Sequence, residues 1–111
     1  MKINYTTKWI IQRFTALILI PLTFWFLYSC LSFKNFQYSE FQIFFNSYIN
    51  SFLFLIMMIV MLVHAKLGCE TIIQDYVSRS FIKLYLNSFI NFILFLSLAL
   101  VIFAIIKLSL L

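Results

Sequence analysis

The sequence predicts an all-α membrane protein of three transmembrane helices, with the N-terminus inside and the C-terminus outside. Three observations carry that prediction. The first is composition: of 111 residues, 65% are hydrophobic and 10% charged, with one glycine and one proline. An average soluble domain is about half apolar and about a quarter charged, and a short chain leaves much of its surface exposed. Such a chain cannot hide this much apolar side chain from water by itself. The second observation is that the charges fall between long apolar stretches, and the third is that the basic residues favour one side of them. A water-soluble domain is excluded, as is a disordered chain, which needs low hydrophobicity. Cys30 and Cys69 alone do not make a disulfide scaffold.

Each span follows from the charge pattern. Residues 14–33, 41–65 and 84–106 contain no Asp, Glu, Lys or Arg, and each stretch is long enough to cross a hydrocarbon core of about 30 Å as a helix. Backbone groups in lipid must be satisfied within the segment, and a chain this short cannot close a barrel, so the spans are helical. We place them at about residues 10–33, 41–66 and 84–107. The second continues as a helix to about residue 78, since no proline interrupts it. Pro21 falls inside the first span, where a kink is tolerated. That first stretch is too long for a cleaved signal and has no small-residue cleavage site. Without repeats, linkers or low-complexity segments, residues 1–111 read as one transmembrane domain.

Orientation comes from the Lys and Arg count in the short flanks. Lys2, Lys8 and Arg13 precede the first span, and Lys66, Arg79 and Lys83 lie between the second and third. Lys34 and Lys107 are the basic residues on the other side. Six against two puts the N-terminus inside. Trp9, Trp25, Tyr28 and Tyr38 fall near the expected interfaces. Cys30 and Cys69 fall at opposite ends and cannot bridge each other. The formal charge of +5 does not signal nucleic acid, because the basic residues stand singly at helix ends rather than in a patch. The abundance of Phe, Tyr, Ile, Asn and Lys matches AT-rich codons, as in an organelle or a reduced bacterial genome.

The chemistry concentrates on the second helix. At about 100° per residue, Gly68 lies about 40° and Asp75 about 20° around the axis from His64. His64, Gly68 and Asp75 thus form one stripe, with Tyr76 beside it at the inner rim and His64 about 16 Å deeper than Asp75. His64 is the single histidine. It reads either as a helix-packing residue or as an axial ligand to haem iron, since intramembrane ionisable groups are costly and neutral imidazole is a usual haem ligand. Gly68, one turn on, lets a flat macrocycle or another backbone approach closely. Asp75 and Tyr76 read either as a solvated helix end or as a polar rim whose hydroxyl donates to a carbonyl ligand. Arg13 arrives at the same level, there to snorkel, to pair with Asp75 or to meet a haem propionate. One histidine supplies one axial ligand, so a six-coordinate haem needs a second chain.

The run His64-Ala65-Lys66-Leu67-Gly68, followed by Ile72-Ile73-Gln74-Asp75-Tyr76, resembles the His-x-x-x-Gly-x-x-x-Ile-Ile-x-Asp-Tyr segment of the succinate dehydrogenase membrane anchor subunit family. Trp9-Ile10-Ile11-Gln12-Arg13-Phe14-Thr15-Ala16 is similar to the start of that family's first helix. The resemblance implies an anchor subunit of respiratory complex II in a mitochondrial inner or bacterial cytoplasmic membrane, partnered by a cytochrome b anchor subunit, an iron–sulfur subunit and a flavoprotein. It implies that His64 ligates haem b, with the other axial histidine on the sister subunit. It further implies that Tyr76 contacts ubiquinone and that Asp75 borders that site. The family's quinone-pocket serine and arginine belong to the sister subunit, and Arg13 is read as a contact to a haem propionate or to the quinone site. A reading from another class is a small oligomeric pore or proton conductor gated by His64. The third span offers it only Asn87, Ser88, Asn91 and Ser97 as lining.

Overall fold

The computed structural model describes residues 5–110, which form four helices: α1 (Tyr5–Ser32), α2 (Tyr38–Asn46), α3 (Tyr48–Tyr76) and α4 (Ser80–Leu110). Lys2, part of the basic count above, lies outside the described residues. Among the described residues, three helical segments are long and apolar enough to cross a membrane: Thr6–Ser32, Tyr48–Tyr76 and Ser80–Ser109. The all-helical class and the three spans are therefore as the sequence predicts. α1 continues through Pro21.

The second apolar stretch departs from expectation. It is not one helix from residue 41, because the chain breaks at Ser47, whose backbone is extended (φ −74°, ψ 122°). The local sequence explains the break. Asn46, Ser47, Asn50 and Ser51 offer the backbone alternative hydrogen bonds, which is how short polar side chains end and start helices. The Ser51 hydroxyl donates to the Phe45 carbonyl at 2.6 Å and the Asn50 amide to the Phe44 carbonyl at 3.2 Å. Two of the last carbonyls of α2 are thus satisfied by the first turn of α3. At its other end α3 stops at Tyr76, short of residue 78, with the Val77 amide donating to Ile73 at 2.9 Å.

α3 is the central helix. It packs against α1 on one side and α4 on the other, with α2 wedged against α3 and α4. Among the described residues, the buried hydrophobic side chains are Phe45, Met57 and Leu67. Large apolar groups such as Phe24, Leu31 and Phe95 are exposed. On a soluble monomer so much exposed apolar surface would be a liability, whereas here lipid or another apolar helix covers it.

Aromatic packing closes the end of the bundle where α1, α2 and α3 meet. Phe33 lies 4.9 Å from Phe41, Phe44 5.0 Å from Phe45, and Phe45 5.1 Å from Phe54, measured between ring centroids. These separations fall in the attractive range for tilted and edge-on rings. The connecting loop is tied down by Glu40, whose carboxylate accepts from the amides of Lys34 and Asn35 at 3.2 and 3.3 Å. Phe36 takes the left-handed conformation there (φ 52°).

Candidate functional site

α1 and α3 run antiparallel, and a ladder of specific contacts sets their register. Lys8 meets Glu70 in an ion pair of 3.0 Å, both side chains partly buried. One turn deeper, Gln12 faces Gly68: a Cβ at that glycine would lie 3.4 Å from the Gln12 amide nitrogen. Deeper again, the Thr15 hydroxyl lies 3.1 Å from Nδ1 of His64. At the far end Phe26 packs on Phe54 at 5.8 Å. Lys8, Gln12 and Thr15 are spaced four and three residues apart, so they share one face of α1. That face is a polar stripe on a largely apolar helix, and it is turned onto the stripe of α3 that carries His64 and Gly68.

His64 is half-buried and Thr15 is buried, with 6% of its surface exposed. Thr15 Oγ1 lies 2.8 Å from the Ile11 carbonyl and 3.0 Å from that of Gln12, the usual posture of a helical threonine. Gly68 faces Gln12 across the helix pair, and the contact a methyl would make there is ordinary. The glycine is therefore not required by the packing of this chain on itself. Gln12 also carries a buried side-chain carbonyl oxygen without a partner among the described residues, a group that costs about 1–3 kcal/mol when left unpaired.

A cleft of about 370 Å³ opens between α1 and α3, with Arg13, Gly68, Gln12 and Thr71 among its walls. Arg13 stands over the Trp9 ring, 5.3 Å from its centroid, a distance suited to cation–π attraction. The ion pair formed in this region is Lys8–Glu70 rather than Arg13–Asp75. Asp75 and Tyr76 are exposed at the end of α3 and line neither this cleft nor a larger one of about 630 Å³ between α1, α3 and α4. The larger cleft is walled by Lys8, Lys66, Glu70, Lys83 and Asn87 and contains none of the predicted site residues. The structure thus gathers His64, Gly68 and Arg13 on the α1–α3 side and leaves Asp75 and Tyr76 at the rim.

Sequence reasoning assigned no role to Thr15, Gln12 or Glu70. The signal was present in the spacing of Lys8, Gln12 and Thr15. Among the described residues, no group of three His, Cys, Asp or Glu could cage a metal ion, and both cysteines are free. A haem makes no such demand, because its porphyrin supplies four of the iron ligands and the protein need offer one imidazole per face. The donor set fits a haem and does not fit a protein-caged ion.

A polytopic helical membrane protein with one imidazole held at a helix–helix contact is the class that fold and site define. The chain belongs to the succinate dehydrogenase/fumarate reductase transmembrane subunit family, whose profile it matches over residues 3–105. It is similar to a succinate dehydrogenase hydrophobic membrane anchor subunit of Rickettsia bellii (strain RML369-C), with 39% identity over 70 residues. That alignment covers 63% of this chain and 56% of the relative, so the match spans little more than half of the relative's length.

Proposed function

We propose that this chain is the membrane anchor of a succinate dehydrogenase that contributes one axial ligand, His64, to a haem b and part of the rim of a ubiquinone site through Tyr76 and Asp75. In this reading it holds a flavoprotein and an iron–sulfur subunit at the bilayer beside a cytochrome b sister subunit. It thereby supports electron transfer from succinate to ubiquinone. The observation that carries the proposal is the engagement of His64: Nδ1 is held by Thr15, the residue is half-buried in the span, and the hydrogen bond to Thr15 uses only one of the two ring nitrogens.

Haem b, when bound, supplies a one-electron relay near the quinone. The chain's own part is to orient the imidazole and to keep a wall free of side chain at Gly68. Arg13 offers a guanidinium at the cleft, where a propionate or a quinone oxygen could accept its hydrogen bonds. Tyr76 offers a hydroxyl to a quinone carbonyl where the ring would be reached from the inner surface. The basic asymmetry of the flanks puts the N-terminus and the α3–α4 connection on the side of the soluble subunits. The Rickettsia relative favours a bacterial cytoplasmic membrane for this arrangement.

Affinity purification of the tagged chain from its native membrane tests the proposal. Co-elution of covalent or tightly bound flavin, iron–sulfur signals and a second small helical subunit, with succinate:quinone activity, is the expected result. A homo-oligomer without flavin or iron–sulfur partners would refute it.

A further inference from the structure

We propose that Thr15 is the positioning residue that fixes the tautomer of His64, placing the proton on Nδ1 and leaving the Nε2 lone pair bare. The argument is a count of hydrogens. Thr15 Oγ1 has three neighbours within hydrogen-bond distance: the Ile11 carbonyl at 2.8 Å, the Gln12 carbonyl at 3.0 Å and His64 Nδ1 at 3.1 Å. The hydroxyl carries one hydrogen. Both carbonyl oxygens are acceptors only. If the hydroxyl hydrogen pointed at Nδ1, its oxygen lone pairs would face two carbonyl oxygens at contact distance with no hydrogen between them. Donating back to the helix, to the nearer Ile11 carbonyl or shared with that of Gln12, relieves that repulsion, and it is the habitual bond of a helical threonine. Oγ1 must then accept from the ring, so Nδ1 bears the hydrogen. In a neutral imidazole the other nitrogen is then the acceptor.

Burial makes the assignment stiff. Thr15 is 6% exposed, so water does not readily replace either bond, and α1 and α3 are locked in register on both sides of the contact by Lys8–Glu70 and Phe26–Phe54. A histidine that ligates a metal commonly donates its second N–H to a fixed acceptor, which sets ring orientation and raises the basicity of the ligating nitrogen. Thr15 meets that description in an apolar helix where few other acceptors are at hand. The role in iron ligation rests on the haem reading above; the tautomer does not.

The test has two arms. In the first, the full chain is labelled with ¹⁵N-histidine, which marks a single ring, and its neutral imidazole is read by NMR in lipid nanodiscs without haem. Wild type and Thr15→Ser should show protonated Nδ1 and bare Nε2, while Thr15→Val should lose the exclusive preference. Protonated Nε2 in wild type, or an unchanged spectrum in Thr15→Val, would overturn the proposal. Should Thr15→Val not accumulate, the wild-type spectrum alone still decides. In the second arm, the purified complex is titrated potentiometrically. Losing the Nδ1–H bond makes the imidazole a poorer donor to ferric iron, so Thr15→Val should shift the haem midpoint to a higher potential, with Thr15→Ser at the wild-type value. An unshifted potential would overturn the positioning role. A complex without haem, together with bare Nε2 in the first arm, would instead overturn the haem reading and leave the tautomer assignment standing.

Discussion

Replacing Tyr76 by Phe should impair quinone reduction without touching the haem or the fold. α3 is a continuous helix from Tyr48 to Tyr76, so Tyr76 stands twelve residues from His64, about 18 Å along the axis at ~1.5 Å per residue. A change at the hydroxyl cannot reach iron held at His64. Tyr76 is also 83% exposed, so removing its oxygen uncovers no buried partner and leaves the helix pair intact. The whole effect therefore falls on a ligand at the rim. One neutral hydrogen bond is worth about 1 kcal/mol net, or about five-fold in affinity. The assay compares two electron acceptors in the purified complex. Quinone reduction should weaken several-fold, mostly as a higher KM, while reduction of a dye that takes electrons before the quinone should be unchanged, as should the haem spectrum. Full quinone activity in Tyr76→Phe, or a bleached haem, would refute the separation of the two sites.

Further expectations follow from single contacts. Gly68→Ala should not destabilise the haem-free protein, because the added methyl meets only the end of Gln12 at 3.4 Å and the helix gains up to about 1 kcal/mol in propensity; thermal unfolding in detergent would show a lower midpoint if the glycine were instead needed for α1 to dock. Combining Asn50→Leu with Ser51→Ala removes the caps on the Phe44 and Phe45 carbonyls and should cost about 1–3 kcal/mol, read as faster thermal inactivation of the complex. With Cys30 and Cys69 first replaced by Ser, a cysteine at position 37 should react with an impermeant probe added outside and one at position 79 should not; the reverse pattern would invert the topology.

The spans were legible because charge is the costliest thing to place in hydrocarbon, and the charge-free stretches mark them directly. The same criterion was blind to the break at Ser47. Asn46, Ser47, Asn50 and Ser51 carry no charge, yet their side chains compete with the helix for hydrogen bonds, and only counting short polar residues would have exposed it. His64 and Gly68 could be placed on one face by periodicity alone. Their partners could not, because a helical period orders residues within α3 but says nothing about which face of α1 turns toward them. Thr15 was visible as a small polar residue in an apolar helix, and its meaning came only with the antiparallel register. Arg13 was expected at the level of Asp75, but it stacks on Trp9 one turn before it, a contact available within α1 itself.

The most direct test of the central claim is the low-spin haem signal of the purified complex carrying His64→Ala. The optical spectrum and the electron paramagnetic resonance signal report axial ligation itself, independent of quinone binding or subunit activity. Wild type should show a six-coordinate, low-spin haem. His64→Ala should lose that signal, with the haem absent or converted to a high-spin form, while the flavin and iron–sulfur centres still reduce with succinate. A wild-type low-spin signal persisting in His64→Ala would contradict the account.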